Sequence, residues 1–269
     1  FHAAGFSADA LRLEVDNPTP IQYPEGSKNA IILTAKGDRD HAIMNACHSA
    51  FGGAGQKGAS CGLLLVERSV FDSKEFSEKL KDCAESLMCG TIWNTGNVVG
   101  PMISGENPRL KDALRLDEGE RWLVEPKYVD EEHTILRPAV KIQEPARPNS
   151  YSFKTPLFAP LLTVVPFDKL EDAVSLVNSL GNSVAAGLQS LDEEEQRYWK
   201  KHVHVGNLYI NRGITGAVVG RQPFGGMNGP ASGGPNYVLQ FMHITDRPGT
   251  DTDYRHSYSE WYEKEFRRA

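Results

Sequence analysis

The chain has four cysteines, Cys47, Cys61, Cys83 and Cys89, and no two of them form a CxxC pair. A cysteine-ligated zinc site and a dithiol redox motif are therefore not written into it, and no metal ligand set is expected. No apolar run approaches the length of a membrane-spanning helix. Neither sign of charge dominates. The formal net charge is -6, and the basic residues are scattered, which gives no patch for nucleic acid or an anionic membrane. A strand–Gly-x-Gly-x-x-Gly–helix unit is missing, so no dinucleotide-binding unit of that kind is expected. Internal repeats and low-complexity tracts are absent as well. The first residue is Phe1 rather than Met.

What remains is an ordinary globular composition with 40% hydrophobic residues over 269 positions, enough for one large domain or two small ones. Most of the cysteines lie in apolar or helical patterns, where free cysteine acts as a small hydrophobe. A reducing compartment follows.

Residues 1–27 read as a leader, because Pro18, Pro20 and Pro24 forbid regular helix. Residues 28–241 read as the domain and 242–269 as a tail. Ala30–Thr34 predicts a short buried strand. Asp38 predicts the cap of a helix with Ala42, Ile43, Ala46, Cys47 and Ala50 at helical spacing. Leu63–Val66 is a second apolar run. Asp72 and Glu75 read as a capping-box-like pair for a helix bearing Phe76, Leu80, Cys83 and Leu87, with Gly90 as its stop. Residues 90–160 look loop-rich, with strands near Arg121–Glu125 and Ile135–Ile142. A strand over Leu161–Val165 follows. Pro166, Phe167 and Asp168 open a helix, then come a strand over Leu188–Ser190, a charged helix over Asp192–His202 and a strand over Asn207–Asn211. The alternation predicts an α/β fold, a largely parallel sheet with flanking helices.

The unusual stretch is Phe51-Gly-Gly-Ala-Gly-Gln-Lys-Gly58-Ala-Ser-Cys61-Gly62, between the first helix and the Leu63–Val66 run. Glycine accepts strained dihedrals cheaply, so such a junction brings backbone close to something. The stretch resembles the nucleophile loop of aldehyde dehydrogenases, and most closely that of the glutamate-semialdehyde (1-pyrroline-5-carboxylate) dehydrogenases of proline breakdown. Arg121–Pro126, Gly206–Arg212 and Gly213–Gly226 are similar to the same family, and the likeness runs from Ser27 to Phe241. It implies a fold like that family's catalytic domain, with the cofactor domain absent because it would precede Phe1.

The resemblance also assigns roles. In the family the loop reads Gly-Gln-Lys-Cys, and that cysteine attacks the aldehyde. Here Gly58 stands at its position. Cys61 is the substitute candidate, or else a packed cysteine entering a strand. The second reading is preferred, because residues along a strand are separated by roughly 3.3 Å each and a 1 Å misplacement can cost about a hundredfold. The general base position holds Pro24. Glu25 is one place late, on the opposite face of an extended chain. The ribose-binding glutamate has become Pro156, while the ring expected near the nicotinamide remains as Phe158. The substrate-carboxylate anchor survives as Lys57, Gly216, Ala217 and Phe224, and Ala59 replaces the serine that follows the nucleophile.

These substitutions imply a catalytically inactive domain with no cofactor, serving as a structural or assembly subunit. One alternative is the catalytic part of a working dehydrogenase, with NAD held by a cofactor half elsewhere. Another is a module binding a glutamate-like carboxylate. Partners would be other protein subunits. They would meet the strand Val238–Phe241, which resembles the family's oligomerisation strand, or a tail helix. In that helix Ser257 and Glu260 form a capping box, and Tyr258, Trp261, Tyr262 and Phe266 recur at helical spacing. Thr245–Asp253 reads as a polar linker before it. A degenerate organellar subunit puts a mitochondrial setting ahead of a cytoplasmic one.

Overall fold

Alternate residues of a strand face opposite sides of a sheet. In the first strand both sides are apolar, so the sheet is covered on both faces. The computed structural model, which describes residues 27–181, 183–217 and the backbone of Thr250–Asp253, shows this arrangement. Strand β1 (Asn29–Leu33) sends Ile31 and Leu33 into one core and Ala30 and Ile32 into another. Helix α1 (Arg39–Phe51) begins at Asp38, whose carboxylate accepts from the His41 amide at 3.0 Å. Then come β2 (Cys61–Glu67), a short α2 (Arg68–Phe71), α3 (Lys74–Ser86) and α4 (Pro108–Ala113). Next are β3 (Glu120–Val124), β4 (Ala139–Gln143), a short α5 (Tyr151–Lys154), β5 (Leu161–Phe167) and α6 (Leu170–Ser179). The series ends with β6 (Ala185–Gln189), α7 (Glu193–His202), β7 (Asn207–Ile210) and β8 (Thr250–Asp253).

The eight strands form one sheet in the order β3-β4-β5-β2-β1-β6-β7-β8. Every pairing is parallel except β3 with β4. Residues of α1 and α3 fill the core on one face, with Ala46, Ala50, Phe76 and Leu80 among them. Residues of α6 and α7 fill the other, with Val174, Val177 and Trp199. The result is a three-layer α/β/α fold.

Several expectations need correction. Phe51, the first residue of the glycine stretch, is not part of the loop: it is fully buried as the last residue of α1. Helix α3 starts one turn-residue later than its capping-box pattern suggests. Ser73 holds the N-cap without a side-chain bond, and Asp72 closes α2 instead. Glu75 pairs with Lys79 at 2.9 Å. That helix stops at Ser86, short of Gly90. Pro166 and Phe167 belong to β5, and α6 begins only at Leu170. Thr250–Asp253 is a strand along β7, not linker.

Residues 90–160 hold more order than their composition suggests. The ammonium of Lys141 on β4 is fully buried and donates to Ala113 O and Arg115 O, both at 2.7 Å, and to Glu120 Oε2 at 2.8 Å. Glu120 lies on β3, so this one cation ties the antiparallel edge to the chain around α4.

The glycine loop leaves α1 through three successive left-handed residues, Gly53 (φ 66), Ala54 (φ 55) and Gly55 (φ 67). A Cβ on Gly55 would lie 2.3 Å from Ala159 O, so the loop seats directly on the chain before β5. Replacing Gly55 by Ala is expected to destabilise the domain by about 2–4 kcal/mol, combining overpacking with a disfavoured φ. Gly58→Ala, where a Cβ meets nothing described within 4 Å, is expected to stay within about 0.5 kcal/mol of the parent. Urea unfolding of both variants tests this, and equal costs would contradict the packing argument.

Candidate functional site

Three chain segments meet at the amino ends of β1, β2 and β5, and together they line a cleft. They are Ser27–Lys28, the loop from Gly55 to Gly62, and Pro156–Leu161. Asn29, fully buried, holds them together. Its amide nitrogen lies 2.8 Å from Gly58 O, 3.0 Å from Ser60 O and 3.1 Å from Ser27 Oγ. Its carbonyl oxygen accepts from the amides of Val184 and Ala185, each at 3.0 Å. Ser27 Oγ also donates to Gly58 O. The loop therefore hangs from β1 by its own backbone carbonyls.

The remaining loop residues fall into place around this staple. Gln56 braces the neighbouring chain, donating to Pro101 O at 3.4 Å and accepting from the Ile103 amide at 2.9 Å. The Lys57 side chain folds back over the turn, with Cε 3.2 Å from the position of a Cβ on Gly53. Gly58 is exposed. Cys61 opens β2 with its side chain buried, and its thiol donates to Leu63 O at 3.2 Å. Burial pushes the thiol up to about 12, far above the range in which a thiolate is available at neutral pH.

Lys28 is the less expected member. It is 2% exposed, and its ammonium donates to Thr155 O at 3.2 Å. Burial lowers it from 10.5 to about 8, against a smaller opposing pull from Cys61. The chain makes room for it at Gly62, where a Cβ would stand 3.0 Å from Lys28 Cδ and Cε and 3.1 Å from Nζ.

Across the cleft, Pro156 is half-buried and Phe158 is 37% exposed. Phe158 sits at φ 49, which is strained for an aromatic residue. Strain of this kind clusters at functional sites. The cleft has a volume of about 20 Å³, room for roughly one water.

The anchor residues are only partly gathered. Lys57, Pro156, Phe158 and Cys61 line the cleft beside Gly58. Gly216 and Ala217 are described but are not part of its lining. The loop leading to them is fixed farther back, where the Ile214 amide donates to Ser49 Oγ at 3.0 Å and Gln189 Nε2 donates to Arg212 O at 3.0 Å. Pro24, Glu25, Phe224, Val238–Phe241 and the tail residues Tyr258, Trp261, Tyr262 and Phe266 lie outside the described residues. Among the described residues no group of three or more His, Cys, Asp or Glu could hold a metal, and no helix is long and apolar enough to cross a membrane.

The pattern of the aldehyde dehydrogenase family matches residues 12–246. This chain belongs to the aldehyde dehydrogenase family. It is 31% identical over 228 residues to a 1-pyrroline-5-carboxylate dehydrogenase of Staphylococcus haemolyticus, covering 81% of this chain and 42% of that protein. A second such enzyme, from Oceanobacillus iheyensis, is 29% identical over 231 residues, with 82% and 44% covered. Among solved structures, Proline Utilization A from Corynebacterium freiburgense superposes with a TM-score of 0.73 at 38% identity, over 80% of this chain and 23% of that one. The 1-pyrroline-5-carboxylate dehydrogenase from Thermus with bound NAD gives 0.70 at 27% identity, over 80% and 42%. The chain thus spans less than half the length of these relatives.

This aldehyde dehydrogenase domain offers a dinucleotide little among its described residues. Pro156 has no side-chain acceptor for a ribose hydroxyl, and the cleft has a volume of about 20 Å³. The exposed ring of Phe158 is the one feature suited to a nicotinamide.

Asn29 and Lys28 are the site residues that sequence reasoning passed over. The signal was available: two polar residues immediately ahead of the fully buried run Ala30–Leu33 require partners. Asn29→Ala is expected to cost on the order of 4 kcal/mol, since two buried amides and the Ser60 carbonyl lose this partner. It should also open Gly58–Ser60 to proteolysis before global unfolding. A loop as resistant as the parent's would refute the staple.

Lys28 makes a pH prediction. Between pH 8 and 10.5 the unfolded chain binds more protons at this lysine than the folded one does. The burial cost is therefore fully present below pH 8 and is relieved by pH 10.5. Stability should rise by on the order of 3 kcal/mol over that window in the parent relative to Lys28→Met. Parallel curves for the two proteins in urea titrations would contradict it.

Proposed function

We propose that this chain is an aldehyde-dehydrogenase-like domain, derived from the glutamate-semialdehyde branch, that does not oxidise aldehydes by itself and serves as a structural or assembly subunit. The observation that carries the reading is at Gly58. The position that would hold the attacking sulfur has no side chain, and the neighbouring sulfur of Cys61 is buried, protonated and turned to Leu63 O. Covalent aldehyde oxidation needs an activated thiolate. Pro24 in place of the base and Pro156 in place of the ribose ligand support the same conclusion.

An assembly role is supported by what the domain leaves bare. Phe158 stands at the cleft mouth, and Met88, Ile92, Trp93 and Ile103 are exposed around the 88–103 segment, Trp93 by 88%. Exposed apolar surface of this kind marks interaction sites. The aromatic tail Tyr258, Trp261, Tyr262 and Phe266 and the stretch Val238–Phe241 are proposed as attachment points, in a mitochondrial or cytoplasmic complex.

The length of the relatives favours a second reading, in which the chain is the catalytic part of an NAD-dependent dehydrogenase whose cofactor half is supplied elsewhere. Activity separates the two. The full chain with NAD and glutamate semialdehyde is expected to yield no NADH above a protein-free control, and Cys61→Ala is expected to change nothing. Turnover abolished by Cys61→Ala would make Cys61 the nucleophile and support the second reading.

Attachment is tested on the native particle. Trp261→Ala is expected to release the chain from its complex while its thermal unfolding stays unchanged. Loss of the fold with assembly intact would assign the tail to the domain core.

A further inference from the structure

The most unusual chemical group in the described chain is the amine of Lys28. It belongs to a buried residue of the cleft lining, yet among the described residues it makes one hydrogen bond, to Thr155 O at 3.2 Å. An ammonium has three N–H donors, and no described carboxylate pairs with it. A buried cation with unfilled donors is costly, whereas a free amine in the same place is much less so. That is the physical reason burial brings this lysine down to about 8. Its side chain runs beside Gly62, where a Cβ would stand 3.0 Å from Cδ and Cε and 3.1 Å from Nζ, and both residues line the cleft.

The cleft leads to it. Gly58 is exposed and leaves its side-chain space open among the described residues. Phe158 and Pro156 add apolar lining, and the cleft's volume is about 20 Å³. That volume suits a carbonyl group in place of one water, with an alkyl chain running outward over Phe158.

We propose that Lys28 makes this cleft a carbonyl-capture site, in which its neutral amine adds to a small aldehyde and holds it as an imine. The Nζ lone pair forms the C–N bond while the carbonyl π pair moves to oxygen, which takes a proton. Nitrogen gives up one proton to leave a neutral carbinolamine, whose oxygen takes a second proton and departs as water, and the nitrogen then gives up its remaining proton to solvent. One aldehyde and one amine become one imine and one water, with no change of oxidation state and no nucleotide. Desolvation is a recognised means of activating a lysine for this chemistry. The inference does not rest on whether the domain oxidises aldehydes, because it needs neither a thiolate nor NAD.

The test uses the full chain with propionaldehyde and sodium cyanoborohydride, without NAD, followed by peptide mapping by mass spectrometry. Lys28 is expected to be alkylated on the order of tenfold faster than the exposed Lys74, with a rate that rises through a midpoint near pH 8. The preference should disappear in urea, where the cleft is lost. Lys28→Arg should remove the fast phase. An unlabelled Lys28 in the folded parent, or one labelled no faster than Lys74, overturns the proposal even if the variant fails to fold.

Discussion

The side-chain amide of Asn29 is the contact on which the rest of the cleft depends. It sits at the first position of β1, in the middle of the sheet, and bonds outward in two directions. One side holds the carbonyls of Gly58 and Ser60, and the other holds the amides of Val184 and Ala185. Strands β2 and β6 flank β1, so a single residue fixes the entry to both neighbours. The glycines of this loop have no side chains with which to define its shape. Here the shape is borrowed from an interior residue that no solvent reaches, and the same residue sets where Gly58, Cys61 and Lys28 stand relative to one another.

Two buried lysines illustrate opposite solutions to one problem. Lys141 is paired with Glu120 and bonded to two backbone carbonyls, so its charge is compensated and its role is to tie the β3 edge to the chain around α4. Lys28 has one carbonyl partner among the described residues and is pushed toward its neutral form. The two lie near enough to lower Lys28 further by repulsion. Compensation makes a structural cation, and its lack makes a reactive amine.

Much of the architecture was legible because it is governed by pattern. The apolar runs at Ala30–Leu33 and Leu63–Val66, and Leu161–Val165 with its one threonine, fit strands covered on both faces, and the 3.6-residue periodicity from Ala42 to Ala50 defined α1. The errors arose where local chemistry is ambiguous. Asp72 and Glu75 have the spacing of a cap, but the chain uses Ser73 and spends Asp72 on the preceding turn. Pro166 looks like a helix opener and instead sits inside a strand. The site divides in the same way. Local loop motifs picked out Lys57, Cys61, Pro156 and Phe158, which line the cleft, together with Gly216 and Ala217, which do not. They did not tell that Phe51 turns inward, or that Asn29 and Lys28 control the cleft, because those roles come from contacts across 29 to 156 residues of chain.

The open space above Gly58 has a consequence for how such a domain can change over time. Most positions in the loop are held by neighbours. Gly55 presses on Ala159, Gly62 gives way to Lys28, and Gln56 braces Pro101 and Ile103. Position 58 alone among these touches nothing described beyond its own backbone bonds. Chemistry and folding therefore place separate demands on the loop. A lineage can gain or lose a reactive side chain there by single substitutions, while the selection that maintains the fold remains blind to the difference.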